Sequence, residues 1–275
     1  MNLRRTPRSS LLPFGYALQL RREHTRESAL EKVALVFPAF NAAGTLEATV
    51  QEIPEGFGEY RILVDDASRD HTVVEAERLG LHVQRHVRNR GYGGNQKTCY
   101  QTALDLGADY IVMIHPDNQY DARIAPVMVD LIRIGVCDIV LGNRIRTRKE
   151  ALDGGMPRWK YVINRGSTFA ENLVLGQSLG DFHSGFRAYS RRVLETVRFQ
   201  QNSEDFAFDQ EFLMQAINAG FKIGDVPVPV RYMKEASSIS FKRSVRYGLG
   251  AVDAFAAMKL HQWRWRDDPR FNFPR

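Results

Sequence analysis

Two short apolar runs in this chain end on acidic residues, and a stretch rich in glycine lies between them. VDDASRD places Asp65 and Asp66 together, where one carboxylate can accept a hydrogen bond from a ring N–H of uracil or guanine while the other braces the turn. Asp70, in the same stretch, suits the cap of a following helix. MIHPDNQYDA supplies Asp117 with His115 and Gln119 two positions to either side, and alternate residues of an extended segment point the same way. Those three side chains can address one divalent cation. RNRGYGGNQK carries three glycines in four positions ahead of an expected helix, which lets backbone come close to a ribose or diphosphate. Gly91 and Gly94, with Lys97 behind them, are therefore nucleotide-binding candidates. A nucleotide diphosphate and a cation that neutralises charge on a departing diphosphate form the chemistry these residue types suit.

Such residues need a scaffold that gathers strand ends. From Val33 onward, apolar β-branched runs alternate with amphipathic segments of about ten to twelve residues, the pattern of an α/β domain with a mostly parallel sheet. Strands are expected at 33–40, 61–68, 81–87, 109–117 and 137–144, with helices at 44–53, 72–80 and 95–107. The region 145–180 is less periodic and is expected to hold loops and a helix around WKYVINRGSTFAENLVLG. Ligands of open α/β sheets bind beyond the carboxyl ends of the strands, which is where the acidic residues fall. One domain over 33–240 accounts for this, preceded by a basic arm (1–32) and followed by an amphipathic helix and tail (241–275).

Thirty-eight Lys and Arg against 32 Asp and Glu give a formal charge of +6, too balanced to demand a polyanion such as nucleic acid. Two cysteines, Cys99 and Cys137, are too few for a disulfide framework and fit a reducing cytoplasm. The apolar runs fall short of the roughly 20 residues that a spanning helix needs.

The series FPAFN, VDDASRD, RGYGGNQKTCYQTAL, IHPDNQYDA, LGNR, GDFHSGFRAYSRRVLE and EDFAFDQEFLMQAINAGFKIGDVPVPVRY resembles the family 2 glycosyltransferases, particularly the polyprenyl-phosphate sugar transferases. The resemblance implies an A-type glycosyltransferase fold, Rossmann-like with helices flanking the sheet, and hexosyl transfer with inversion from a UDP- or GDP-type donor. It implies that Pro38, Phe40 and Asn41 line the nucleotide pocket, that Asp65 or Asp66 contacts the base, and that Asp117 is the principal ligand of Mn or Mg. Many relatives have Asp-x-Asp where this chain has His115 and Asp117. Imidazole in place of a carboxylate favours manganese over magnesium. On the acceptor side the resemblance implies Asp181 and the turn after it, with Arg187 either in the site or anchoring the loop through an ion pair. Asp209, and then Glu211, are the implied bases for a sugar hydroxyl acceptor. A lipid phosphate needs positioning more than deprotonation, and there Arg144 and Arg165 align with acceptor-binding positions. Tyr232, Ser237 and Ser238 fall in the implied closing loop over the diphosphate.

Two other classes compete with this reading. Sugar-nucleotide nucleotidyltransferases open with a G-x-G-x-R loop after the first strand, and FPAFNAAGT has one glycine. A nucleotide-sugar-binding protein without transferase activity would not need the acids at 117, 181 and 209. Beyond Ser240, Phe241, Val245, Leu249, Val252, Phe255 and Met258 recur at helical spacing. Lys242, Arg243, Trp263 and Trp265 there also suit a helix lying on the inner face of a membrane, a peripheral association that would bring the site to a lipid acceptor.

Overall fold

The computed structural model describes residues 31–231 and 241–273. The described residues from Lys32 onward form one compact unit. Its centre is a seven-stranded sheet in the order β3-β2-β1-β4-β6-β5-β7. The strands are β1 (Val33–Ala39), β2 (Tyr60–Asp65), β3 (His82–Arg85), β4 (Tyr110–Met113), β5 (Ile139–Asn143), β6 (Arg187–Ser190) and β7 (Ile223–Pro227). All neighbours pair in parallel except β6, which runs antiparallel to β4 and β5. The expected parallel strands are present, and β6 is the reversal that makes the sheet mixed.

β1 reads VALVFPA without a polar residue because it is covered on both faces, and all seven of its residues are buried. Its side chains divide by strand alternation. Ala34 and Val36 join Tyr100, Phe208, Phe212 and Met258 in one core layer, while Leu35 and Phe37 join Leu46, Val50, Met128 and Val129 in the other. The first layer lies under α3 (Gly91–Asp105), α8 (Phe208–Asn218) and α9 (Phe241–Gln262); the second lies under α1 (Leu46–Gln51) and α4 (Ala125–Arg133). The remaining helices are α2 (Thr72–Arg78), α5 (Arg148–Asp153), α6 (Arg158–Leu175) and α7 (Arg191–Thr196). Asp70 accepts from the Thr72 backbone N–H at 3.1 Å, as the start of α2 requires, and from Ala43 N–H at 3.1 Å. Of the apolar stripe expected on the C-terminal helix, Met258 is buried in the first layer beside Ala254 and Ala257 and Phe255 packs against that layer, but Val252 is exposed at 65%.

The helix after the glycines begins four residues earlier than the sequence pattern indicates, at Gly91, so the three glycines form its first turn. The segment Ser203–Asp205 crosses directly over that turn. A side chain at Gly93 would meet the Ser203 carbonyl and Phe208 Cβ, and one at Gly91 would meet the Glu204 carbonyl. Gly91 also has φ +86°. The glycines thus admit another stretch of this chain's own backbone. Replacing Gly93 by Ala is expected to destabilise the fold by about 1–3 kcal/mol through overpacking, whereas Gly44→Ala, which opens into free space, stays within about 0.5 kcal/mol. Urea unfolding of the two variants measures the difference.

Candidate active site

The carboxyl ends of β2, β1, β4 and β5 and the start of the reversed β6 share one edge of the sheet. Three clusters sit along it. At the first, Phe40 leaves β1 half exposed, at 52%, and Asn41 takes φ 52°. Asn41 accepts from Arg69 N–H at 2.9 Å and donates its own N–H to Ser68 Oγ at 2.8 Å, clamping the turn after β2. Asp65 accepts from Ser68 N–H at 3.2 Å and faces the Arg85 guanidinium at 3.4 Å. Asp66 is more heavily committed. One oxygen takes His86 Nδ1 at 2.7 Å and Arg90 N–H at 2.8 Å, and the other takes Gly91 N–H at 2.9 Å. Of the two acids, Asp65 therefore keeps more capacity for a base. Pro38 is buried within β1, beneath this surface.

The start of α3 holds no free donors for a diphosphate at the positions the glycines suggested. Gly93 and Gly94 donate to the Glu204 carbonyl at 2.9 and 3.3 Å, and Gly91 donates to Asp66. Lys97 is likewise taken up by the scaffold. It is buried, its ammonium donates to the Asn202 carbonyl, and burial pushes its pKa down.

The second cluster lies after β4. Asp117 accepts from Gln119 N–H at 3.1 Å, and the turn is braced by Asn118 N–H to Thr49 Oγ1 at 3.1 Å and by Arg231 N–H to the Gln119 carbonyl at 2.9 Å. Burial raises the Asp117 carboxyl above its ordinary value against the pull of His115, and burial lowers His115. Tyr92, between the glycines of α3, stacks on His115 with ring centres 5.5 Å apart. Its hydroxyl donates to Asp209 Oδ2 at 2.7 Å and lies 3.2 Å from His115 Nε2. A phenol has one proton to give, so His115 donates from Nε2 and keeps its lone pair on Nδ1. Asp209 also accepts from Gln96 at 3.3 Å and faces Arg187 at 3.5 Å. Arg187 is fully buried, and its guanidinium donates to the Ser184 carbonyl at 2.7 Å and the Phe182 carbonyl at 3.2 Å. Of the two roles open for Arg187, the structure shows the anchor.

The third cluster lies after β5. Asp181 is fully buried and accepts from Arg144 Nε at 2.7 Å, His183 N–H at 2.9 Å and Asn164 Nδ2 at 3.2 Å. Burial alone would raise this carboxyl, but Arg144 and His183 hold it far below the carboxylate range. Arg165 donates to the Gly180 carbonyl behind the same turn. Lys160 is half-buried, and its ammonium pKa is lowered by burial and then by the Arg144 charge beside it. Two cations near each other and partly withdrawn from water form a locus for an anion. Glu211 is brought to neither cluster: it accepts from Ser203 N–H at 2.5 Å and from Arg270 at 3.0 Å, and it braces the C-terminal segment. Tyr232, Ser237 and Ser238 lie outside the described residues.

No three His, Cys, Asp or Glu side chains gather as a metal cage among the described residues. Asp117, His115 through Nδ1 and Gln119 are the side chains that would hold a cation here. A hard cation held by a few protein groups and completed by substrate phosphate oxygens is a common arrangement, and these residues fit it.

Sequence reading passes over Tyr92 and Lys160. Tyr92 had one visible signal, an aromatic residue inside a glycine run; Lys160 had none.

Sheet order, the reversed β6 and the clusters along one edge define the A-type glycosyltransferase fold. Residues 34–198 match the family described as "Glycosyl transferase family 2", and the chain belongs to that family and is a transferase. It is 28% identical over 218 residues to the UDP-N-acetylglucosamine–dolichyl-phosphate N-acetylglucosaminyltransferase of Methanococcus voltae, covering 73% of this chain and 86% of that one. To the polyprenol monophosphomannose synthase of Mycolicibacterium smegmatis it is 25% identical over 210 residues, covering 72% and 77%. The UDP complex of glucosyl-3-phosphoglycerate synthase from Mycobacterium tuberculosis shares the fold with a TM-score of 0.64 at 20% identity, covering 86% of this chain and 83% of that one.

Removing one partner of a buried ion pair strands the other. Arg187→Ala is expected to cost about 3–5 kcal/mol of stability by leaving Asp209 uncompensated, and Arg187→Ala with Asp209→Ala to cost less than the two single losses combined. A double-mutant cycle in urea measures that coupling.

Proposed function

We propose that the protein transfers a hexosyl group, with inversion, from a UDP- or GDP-type sugar donor to a lipid phosphate. The observation that carries this reading is the state of its carboxylates. Asp209, Asp181 and Glu211 are each held by several hydrogen-bond or ion-pair partners, so none is poised to take a proton from a sugar hydroxyl. A phosphate monoester needs no such base, because its second pKa is about 6 and it is already a nucleophilic dianion near neutral pH. What it needs is cations, and Lys160 beside Arg144 supplies them, with Arg165 on the next turn of α6. The names of the dolichyl-phosphate and polyprenol relatives point to the same acceptor class.

The donor base and ribose fit the first cluster, over Phe40, Asn41 and Asp65. The diphosphate then falls beside Asp117 and His115, where a divalent cation, when bound, lends electrostatic stabilisation to the leaving group. An imidazole nitrogen among the ligands favours manganese over magnesium. Tyr92, locked between Asp209 and His115, fixes the imidazole so that Nδ1 is the nitrogen that would be offered to a cation. The acceptor phosphate, held over Arg144 and Lys160, attacks the anomeric carbon from the face opposite the diphosphate.

Incubation with labelled UDP- and GDP-sugars tests this, using a polyprenyl phosphate in one arm and a free glycoside in the other. Lipid product in the first arm alone is expected; glycoside product would overturn the phosphate assignment. Lys160→Ala is expected to raise KM for the lipid phosphate by about tenfold with little change in KM for the donor. Asp117→Asn is expected to abolish turnover while leaving the unfolding midpoint unchanged. The reactive species is the dianion, so kcat/KM for the acceptor should fall as pH drops through about 6 and level off above it. A profile governed by a carboxylate near pH 4 would point instead to a protein base.

A further inference from the structure

Helix α6 is amphipathic in the inverse sense. At about 100° per residue, Trp159, Val162, Ile163, Phe169, Leu173 and Val174 fall within one arc of about 140°, and the only other residues in that arc are Gly166 and Ala170. Every residue of the arc is exposed, with Phe169 at 71% and Leu173 at 75%. The opposite face, turned to the body, is mostly polar, with Tyr161 and the core residue Leu175 its apolar members. Asn164 reaches Asp181, Asn172 bonds both the N–H and the carbonyl of Leu179 at 2.8 and 2.7 Å, Thr168 is buried, and Glu171 faces His183 at 3.5 Å. A helix surrounded by water buries its apolar stripe; this one presents its stripe outward, as a helix does when its outer medium is apolar.

We infer that the outer face of α6 docks on an anionic lipid bilayer. The choice of a bilayer over a protein partner rests on the lipid-phosphate reading and on three features of the surface. The arc contains no polar side chain to specify a partner's register. A tryptophan stands at its N-terminal end, where an indole suits the headgroup boundary. Between Arg144 and Gly176 the chain carries seven Lys and Arg against three Asp and Glu, the charge that anionic headgroups attract. Among the described residues no helix is long and apolar enough to cross a membrane, so surface docking is the route these residues provide to a lipid substrate. The same helix carries Lys160 and Arg165, so seating its apolar face in the interface puts the acceptor cations at headgroup depth. The C-terminal helix buries Ala254, Ala257 and Met258 against the body, whereas α6 turns its whole apolar arc outward.

Flotation of the full chain with phosphatidylcholine–phosphatidylglycerol vesicles, and with phosphatidylcholine alone, tests the inference. Binding is expected to be stronger to the anionic vesicles. Phe169→Glu with Leu173→Glu is expected to reduce partitioning by about tenfold or more, because two large apolar side chains no longer enter the interface. Both positions are exposed, so the melting temperature should hold, as should transfer to a short-chain, water-soluble polyprenyl phosphate. Ile163→Gln, on the other edge of the arc, provides an independent reduction. A chain that does not float, or a double variant that floats as well as the parent, overturns the inference. So does a dimer seen by light scattering that the double variant dissolves without vesicle binding, since the face would then belong to a second copy. Flotation as expected with no transfer to either phosphate acceptor would leave the docking surface standing and remove the functional reading instead.

Discussion

The buried guanidinium of Arg187 is the constraint on which the active edge depends. A cation with no exposed surface must be fully answered by acceptors, and Arg187 finds them in the carbonyls of Phe182 and Ser184 and in the carboxylate of Asp209. Meeting that demand fixes the path of the turn before β6, the position of the first residues of α8 and, through Tyr92, the orientation of His115. Residues drawn from four separated stretches of chain are held in one arrangement. Their polar networks specify geometry by the cost of leaving any member unsatisfied.

The same logic separates two kinds of acid along the edge. Asp66, Asp181 and Asp209 spend their oxygens inward on backbone N–H groups, His86, Arg144 or Arg187, and they shape the cleft. Asp65 and Asp117 are bound more lightly, Asp65 by Ser68 N–H and the Arg85 guanidinium and Asp117 by Gln119 N–H. An acid at a strand end is therefore a weak signal of role by itself. Its hydrogen-bond partners decide whether it serves the ligand or the scaffold.

That distinction also marks what could be read from the sequence. The parallel strands β1, β2, β4 and β5 were legible because burial makes them apolar runs, as in VALVFPA and YIVM, whereas β7, IGDVP, is only partly buried, lacks such a run and was not expected. β6 was not, because a four-residue strand opening on a buried arginine, RAYS, has neither an apolar run nor a clear period. The glycines of α3 were visible, but their reason was not. They accommodate Ser203–Asp205, about a hundred residues downstream, and no local pattern encodes such an approach. Lys97 shares a helix face with Gly93 and Gly94, one turn on, but that face is covered by the chain at 202–205, so its ammonium meets the Asn202 carbonyl instead of a ligand.

Helix α6 shows the limit from the other direction. A helix is expected around WKYVINRGSTFAENLVLG although the surrounding stretch is less periodic than the rest, and in the folded helix its apolar residues gather on one side. Periodicity, however, reports that two faces differ and not which of them meets the protein. The ordinary assumption is that the apolar face turns inward, and it fails here because Asp181, buried beside Arg144, needs Asn164 from the helix that covers it. Satisfying that buried charge turns the polar side of α6 toward the body, and the helical period then leaves the apolar side outward. The geometry of a buried cluster built on charge thus carries with it an apolar outer surface beside it.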